Sequence, residues 1–294
     1  MARGKAASGK SDRLREPVAA RRRRGPAQVP SAVLELDGSD PANIELVFGF
    51  VGPTGIDLDK VYETLRTQLR IMQYDVVEIR LSDLITEYLG KTHMFSNGYE
   101  RIKTLMERGT RLREETKQAD IVARLGIAFI RDCRKDKTND VYKPAKRMAY
   151  LVRSFKRPEE VDLFRQVYGK AFTLISVYAS RAWRLQFLKK KLAPSLGAER
   201  SKAEEFTTEL IGRDHDEEGR TLGQRVGKTF PLADYFVTSE SRPDLERQLK
   251  RLVQLTFGNP YVSPTRDEQS MFFAYPSGQV ILNHPPRPGR IVST

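Results

Sequence analysis

Between Gly49 and Gly55 the chain reads Gly-Phe-Val-Gly-Pro-Thr-Gly, with the apolar run ending in Leu46-Val47-Phe48 before it and an amphipathic stretch from Leu58 after it. This is a strand, a glycine turn and a helix. Gly49, Gly52 and Gly55, with Pro53 and Thr54 between them, allow a tight backbone turn whose N–H groups point at an anion, at the positive end of the following helix. The chemistry such a turn serves is phosphate binding. A complete phosphate loop continues Gly-Lys-Ser/Thr, the lysine reaching the β and γ phosphates and the hydroxyl reaching magnesium. Here Ile56, Asp57, Leu58 and Asp59 follow Gly55 instead. Lys60 comes about one helical turn too late to substitute, and two carboxylates at the helix start repel phosphate.

Further cations are spaced to help. Arg153, Lys156 and Arg157 follow a third apolar run, and Arg181 and Arg184 open the helix after a fourth. In parallel sheets ligands collect at these carboxyl ends of strands, so the five are candidate phosphate contacts; the alternative is that they are solvated or pair with Glu159 and Glu160. Asp83 could serve metal or base chemistry, but with Ser82 it reads better as a helix N-cap. Cys133, the single cysteine, lies in a helical stretch and reads as an inert thiol. His93 and His284 are isolated, and His215-Asp-Glu217 stands in a charged stretch with no cysteine downstream to complete a zinc site.

The elements that must hold these residues alternate regularly. Strands are expected at Ile44 to Val51, Tyr74 to Leu81, Met148 to Phe155, Phe172 to Tyr178 and Asp234 to Thr238. Helices are expected from Leu58 to Met72, Asp83 to Leu89, Tyr99 to Arg113, Lys117 to Arg134, from Pro158 up to Gly169, Ser180 to Leu192, Arg200 to Ile211 and Pro243 to Thr256. Residues 212 to 228 read as a charged, glycine-rich connection ending in a short helical piece near Gly223 to Phe230. Strands separated by helices predict an α/β domain: a five-stranded parallel sheet with helices on both faces.

The 294-residue chain carries a formal charge of +13 and a mean hydropathy of −0.52. Residues 1 to 30 hold nine lysines and arginines against Asp12 and Glu16, a net of +7. That arm has little to bury and is expected to be disordered; it could touch nucleic-acid phosphates without specificity. It has no interleaved aromatic residues on which single-stranded bases could stack. One cysteine gives no disulfide framework, no apolar run is long enough for a membrane helix, and no secretory leader is legible, so a cytoplasmic protein is expected.

A run of motifs adds a resemblance. Glu45 to Lys60, Glu78-Ile-Arg-Leu-Ser-Asp-Leu84, Arg153 to Val161, Tyr178-Ala-Ser-Arg181, Gly223 to Phe230 with Ala233-Asp234, and Phe257-Gly-Asn-Pro260 through Glu268 follow one another as in the anti-phage dCTP deaminases. The similarity covers roughly Ile44 to Tyr275. It implies a P-loop kinase-like domain followed by a zinc deaminase domain that converts dCTP or dCMP to the uracil form, its zinc held by one His and two Cys with a Glu as proton shuttle. The chain departs from that pattern, because no Pro-Cys-x-x-Cys occurs in it. Zinc is therefore expected only in a deaminase domain missing from this chain, and the chain itself is expected to be inactive as a deaminase.

The resulting expectation is a basic arm and linker over 1–43, a kinase-like domain over 44–258, and over 259–294 the start of a deaminase domain with an aberrant, truncated end. The leading functional reading is a regulatory or sensor domain of a cytosine deoxynucleotide deaminase, binding a nucleotide, an RNA or a phage-derived ligand, as a monomer or homo-oligomer. The alternatives are a nucleotide kinase or NTPase using the degenerate loop with ATP and magnesium, and a nucleic-acid-binding module acting through the arm.

Overall fold

The computed structural model describes residues 43–90, 95–215, 217 and 220–266, and of His215 only the backbone. Most of the arm and linker over 1–43, His93, His284 and residues 267–294 of the expected deaminase start lie outside the described residues.

Five strands form one sheet: β1 (Leu46–Val51), β2 (Asp75–Arg80), β3 (Met148–Arg153), β4 (Phe172–Tyr178) and β5 (Tyr235–Thr238). Their order is β2-β3-β1-β4-β5 and every pairing is parallel. The fold is thus an α/β sheet of the P-loop kinase-like kind, with β1 at its centre and the chain crossing over β1 between β3 and β4. β1 is buried at all six positions because helices cover both faces. Its side chains divide with period two: Val47 and Val51 join one core and Leu46, Phe48 and Phe50 the other.

The first core is closed by α2 (Leu81–Tyr88), α4 (Ile121–Thr138), α5 (Pro158–Tyr168) and the short α8 (Val226–Thr229); the second by α1 (Leu58–Ile71) and α9 (Arg242–Thr256). A third apolar cluster joins α3 (Gly98–Thr116), α6 (Arg181–Leu192) and α7 (Ala203–His215), which stand over the carboxyl ends of the strands. Each fully buried Leu, Val or Phe contributes about 1.5–3 kcal/mol, so α1, anchored by Val61, Leu65 and Leu69, is firmly seated behind the glycine turn.

Local chemistry sets most boundaries. Asp57 caps α1, its carboxylate accepting the Lys60 N–H at 3.2 Å. Asn97 caps α3 through the Glu100 N–H, Ser180 caps α6, and Pro158 opens α5, which ends at Gly169 with φ 52°.

Four expectations need correction. Ser82 and Asp83 do not cap α2, which begins at Leu81 after an extended Arg80; Asp83 instead accepts the Ser82 hydroxyl at 3.3 Å. Lys117 begins no helix: it is a left-handed residue that ends α3, and α4 starts at Ile121. Residues 200–202 belong to a 3-10 turn, and helix α7 runs on from Ala203. It carries Asp214 and His215 as helical residues, where a charged loop was expected, because Leu210, Ile211 and Asp214 are buried against the body of the domain.

Candidate functional site

The turn from Gly52 to Ile56 leaves the carboxyl end of β1 and forms one wall of a cleft of about 280 Å³. Its other walls are the ends of β2 and β3, the faces of α2 and α3, and α6. Leu81, Ile85, Ile102, Leu105, Met106 and Leu188 give it an apolar floor; Arg80, Arg101, Arg153, Lys156 and Lys191 place cations around it. An apolar body with cationic edges suits a phosphorylated organic molecule.

Within the turn the glycines have different duties. Gly55 has φ +96°, and a Cβ there would meet the Arg184 backbone at 2.9 Å; both facts exclude larger residues. Gly49 is not part of the turn. It lies within β1, and a Cβ would press to 2.7 Å from the ring of Phe172 and 2.8 Å from that of Phe155, so its smallness serves packing and not phosphate approach. The Thr54 N–H donates to Asp214 Oδ2 at 2.5 Å, and the Arg184 guanidinium donates back to the Thr54 carbonyl at 3.4 Å.

The sequence-chosen cations separate into three groups. Lys156 belongs to the cleft, donating to Asp214 Oδ1 at 2.6 Å. Arg153 also belongs: its guanidinium donates to Asp59 at 2.8 Å and Glu78 at 2.7 Å and lies over the Tyr62 ring, 4.6 Å from its centre. Arg184 stands behind the turn, and burial lowers its pKa from the ordinary value, against the pull of the Asp214 charge. Arg157 does not face the cleft as a free cation. Only 2% of its residue surface is exposed, and it is consumed by Glu159 and by the carbonyls of Thr221 and Gly223, so its task is to pin that loop. Arg181 is exposed at the start of α6 and does not line the cleft.

Asp59, read from the sequence as repelling phosphate, is neutralised. Burial acts to raise its pKa, but the Arg153 hydrogen bond and the charges of Arg153, Lys191 and Arg80 outweigh that and hold it below its ordinary value. Lys191 lies 3.5 Å from it and Arg80 3.9 Å. Tyr62 behind this cluster is pushed well above its ordinary pKa, burial being the main cause, so it is a neutral wall.

The loop carrying Lys156 is held from beneath by a buried ion pair. Arg113 of α3 donates to Glu160 at 2.6 Å, their side chains 3% and 0% exposed, while the other Glu160 oxygen accepts the N–H groups of Lys156 and Arg157. The sequence offered Glu160 as a partner for the cations beyond β3; its side-chain partner is instead Arg113, and the carboxylate faces inward. Gln224, which the sequence did not single out, is 3% exposed at the cleft wall, and its side-chain carbonyl oxygen has no hydrogen-bond partner.

No hydroxyl-bearing residue follows directly on the turn, Asp59 is engaged by three cations, and among the described residues no three His, Cys, Asp or Glu gather to hold a metal. The Thr54 N–H and the Lys156 ammonium converge on one anion, the buried Asp214 carboxylate. Cys133 is remote from the cleft on α4; burial first, and Asp136 and Asp132 next, raise its thiol pKa, which suppresses thiolate chemistry.

The fold is an α/β domain with a kinase-like sheet order, and the cleft lies at the carboxyl ends of its strands. No family model matches the chain, and no curated protein matches it either. Among solved structures it is similar to shikimate kinase from Bacteroides thetaiotaomicron, with a TM-score of 0.39 and 12% identity over 71% of this chain and 97% of that one. It is also similar to shikimate kinase from Aquifex aeolicus (TM-score 0.33, 12% identity, 74% and 99% covered) and to a gluconokinase from Sinorhizobium meliloti (TM-score 0.32, 10% identity, 78% and 97% covered). Likeness at these scores carries nothing about ligand or reaction. No helix among the described residues is long and apolar enough to cross a membrane.

Proposed function

We propose that this domain binds a nucleotide in the cleft, in the manner of a nucleotide kinase or NTPase with a degenerate loop. The observation that carries the reading is that the Thr54 N–H and the Lys156 ammonium both hold a carboxylate, that of Asp214, at the end of β1 beside an apolar floor. The base or sugar lies on Leu81, Ile102, Leu105 and Met106; the phosphates lie toward the turn and the Arg153 and Lys191 edge. Binding of this kind relies on positioning and charge neutralisation. Transfer chemistry lacks its lysine on the turn and the hydroxyl that would follow it, so binding without rapid turnover is the expected behaviour.

A finer reading is a sensor domain that regulates a cytosine deoxynucleotide deaminase. The motif run from Glu45 to Glu268 is its whole support. An RNA or phage-derived ligand, a homo-oligomer and a separate deaminase domain as partner belong to that reading as well.

The test is thermal unfolding with a panel of nucleotides. A ligand at one hundred times its Kd adds about 2.7 kcal/mol to stability, a clear rise in Tm. Arg101 and Lys191 are exposed at the cleft edge, so Arg101→Ala with Lys191→Ala leaves the fold intact and weakens binding by about 0.2–1 kcal/mol per charge. A rise in Tm that is indifferent to both substitutions would place the ligand elsewhere.

A further inference from the structure

Asp214 is an unusual group to find where it is. Its side chain is completely enclosed, one oxygen taking the Thr54 N–H at 2.5 Å and the other the Lys156 ammonium at 2.6 Å. It comes from the end of α7, 160 residues from Thr54 and 58 from Lys156. Removing a carboxylate from water is costly, and a packed apolar side chain would fill the same space without that cost. The place it fills therefore attracts negative charge: a glycine-turn N–H, an ammonium and, behind them, the Arg184 guanidinium.

A second observation points to a ligand at this wall. Gln224 is 97% buried beside Lys156 and the turn, and its carbonyl oxygen is left without a partner. A buried acceptor of this kind is expensive to leave unmet, and an N–H or O–H of a cleft ligand would meet it.

We infer that Asp214 is a built-in occupant of the phosphate subsite, and that Lys156, supplied by the loop after β3, replaces the lysine that the turn itself lacks. A ligand phosphate competes with Asp214 for the Thr54 N–H and the Lys156 ammonium, and displaces the end of α7 when it wins. This rests on the nucleotide reading above and adds an autoinhibitory contact to it. No covalent step is involved.

The test uses inorganic pyrophosphate, titrated calorimetrically into the full chain as wild type, Asp214→Asn, and Asp214→Asn with Lys156→Met. The asparagine keeps the size and an acceptor for the Thr54 N–H while removing the charge. At least tenfold tighter pyrophosphate binding by the single variant, with the gain lost in the double variant, is the expected result. Equal or weaker binding by Asp214→Asn overturns the inference, and so does a gain that survives Lys156→Met.

Should Asp214→Asn fail to fold, nuclear magnetic resonance on the wild type decides. Millimolar pyrophosphate must shift the Thr54 amide and Lys156 ammonium signals together; unmoved signals overturn the proposal. ATP separates the two levels. ATP binding equal in wild type and Asp214→Asn removes the role of Asp214 and leaves the cleft reading standing. No ATP binding in either removes the nucleotide reading, while the pyrophosphate comparison still reports on Asp214.

Discussion

Arg113 and Glu160 show how single side chains prepare the cleft. Their ion pair is buried on both sides, and Glu160 also receives two backbone N–H groups from the loop that carries Lys156. Breaking such a pair strands a buried charge. Glu160→Ala is therefore expected to lower the unfolding free energy by about 3–5 kcal/mol, read from urea titration, and to loosen Lys156 even where the domain still folds. Gly55 makes a different demand. At φ +96° and against the Arg184 backbone, Gly55→Val should cost about 1–3 kcal/mol in strain; an unchanged urea midpoint would show that the turn tolerates a side chain. Little of this was legible beforehand. Gly52 to Gly55 and Lys156 announce an anion site by residue type, but Asp214 sits in the charge-rich run Gly212-Arg-Asp-His-Asp and differs in no way from its neighbours until packing brings it to Thr54.

At the level of elements, α3 stands over the cleft and starts from a side-chain cap. Asn97 accepts the Glu100 N–H at 2.9 Å, so Asn97→Ala is expected to cost about 1 kcal/mol by urea unfolding and to reduce ligand affinity through the α3 wall. At the other end of α3, Lys117 is held left-handed with φ 54°. Lys117→Gly relieves that conformation and should stabilise the domain by about 0.5–1 kcal/mol; a lower Tm would contradict it. The strands and the helices with one apolar stripe were readable because burial imposes period two or 3.6 on the residues themselves. The break between α3 and α4 was read but placed a few residues early, since the left-handed Lys117 carries no glycine-like signal. The Arg80–Leu81 junction was hidden for a related reason: β2 passes straight into α2 without a capping side chain, so Ser82 and Asp83 looked like the start.

Across the molecule, several of the described arginines are grouped with carboxylates. Burial by itself would raise Asp59, Glu107 and Glu159, but Arg153 for the first, Arg220 and Arg213 for the second and Arg157 for the third more than offset it, and all three pKa values are lowered. Depressed carboxylates stabilise the fold in full above their unfolded values of 3.8 and 4.5, and that contribution is lost as pH falls through the lower folded values. The unfolding midpoint should hold steady from neutral pH to about pH 5 and drop below about pH 4. High salt should shrink that drop, because these pairs are partly exposed.

The same distribution of charge makes one claim central: the cleft beside Gly52 to Gly55 takes a nucleotide through its phosphates, with Lys156 as the principal cation and without need of magnesium. The direct measurement is calorimetric titration of ATP into the full chain, once with EDTA and once with magnesium, using wild type and Asp214→Asn. Saturable one-site binding that persists in EDTA and tightens in Asp214→Asn is the predicted result. Absence of binding heat in both proteins under both conditions would contradict the account.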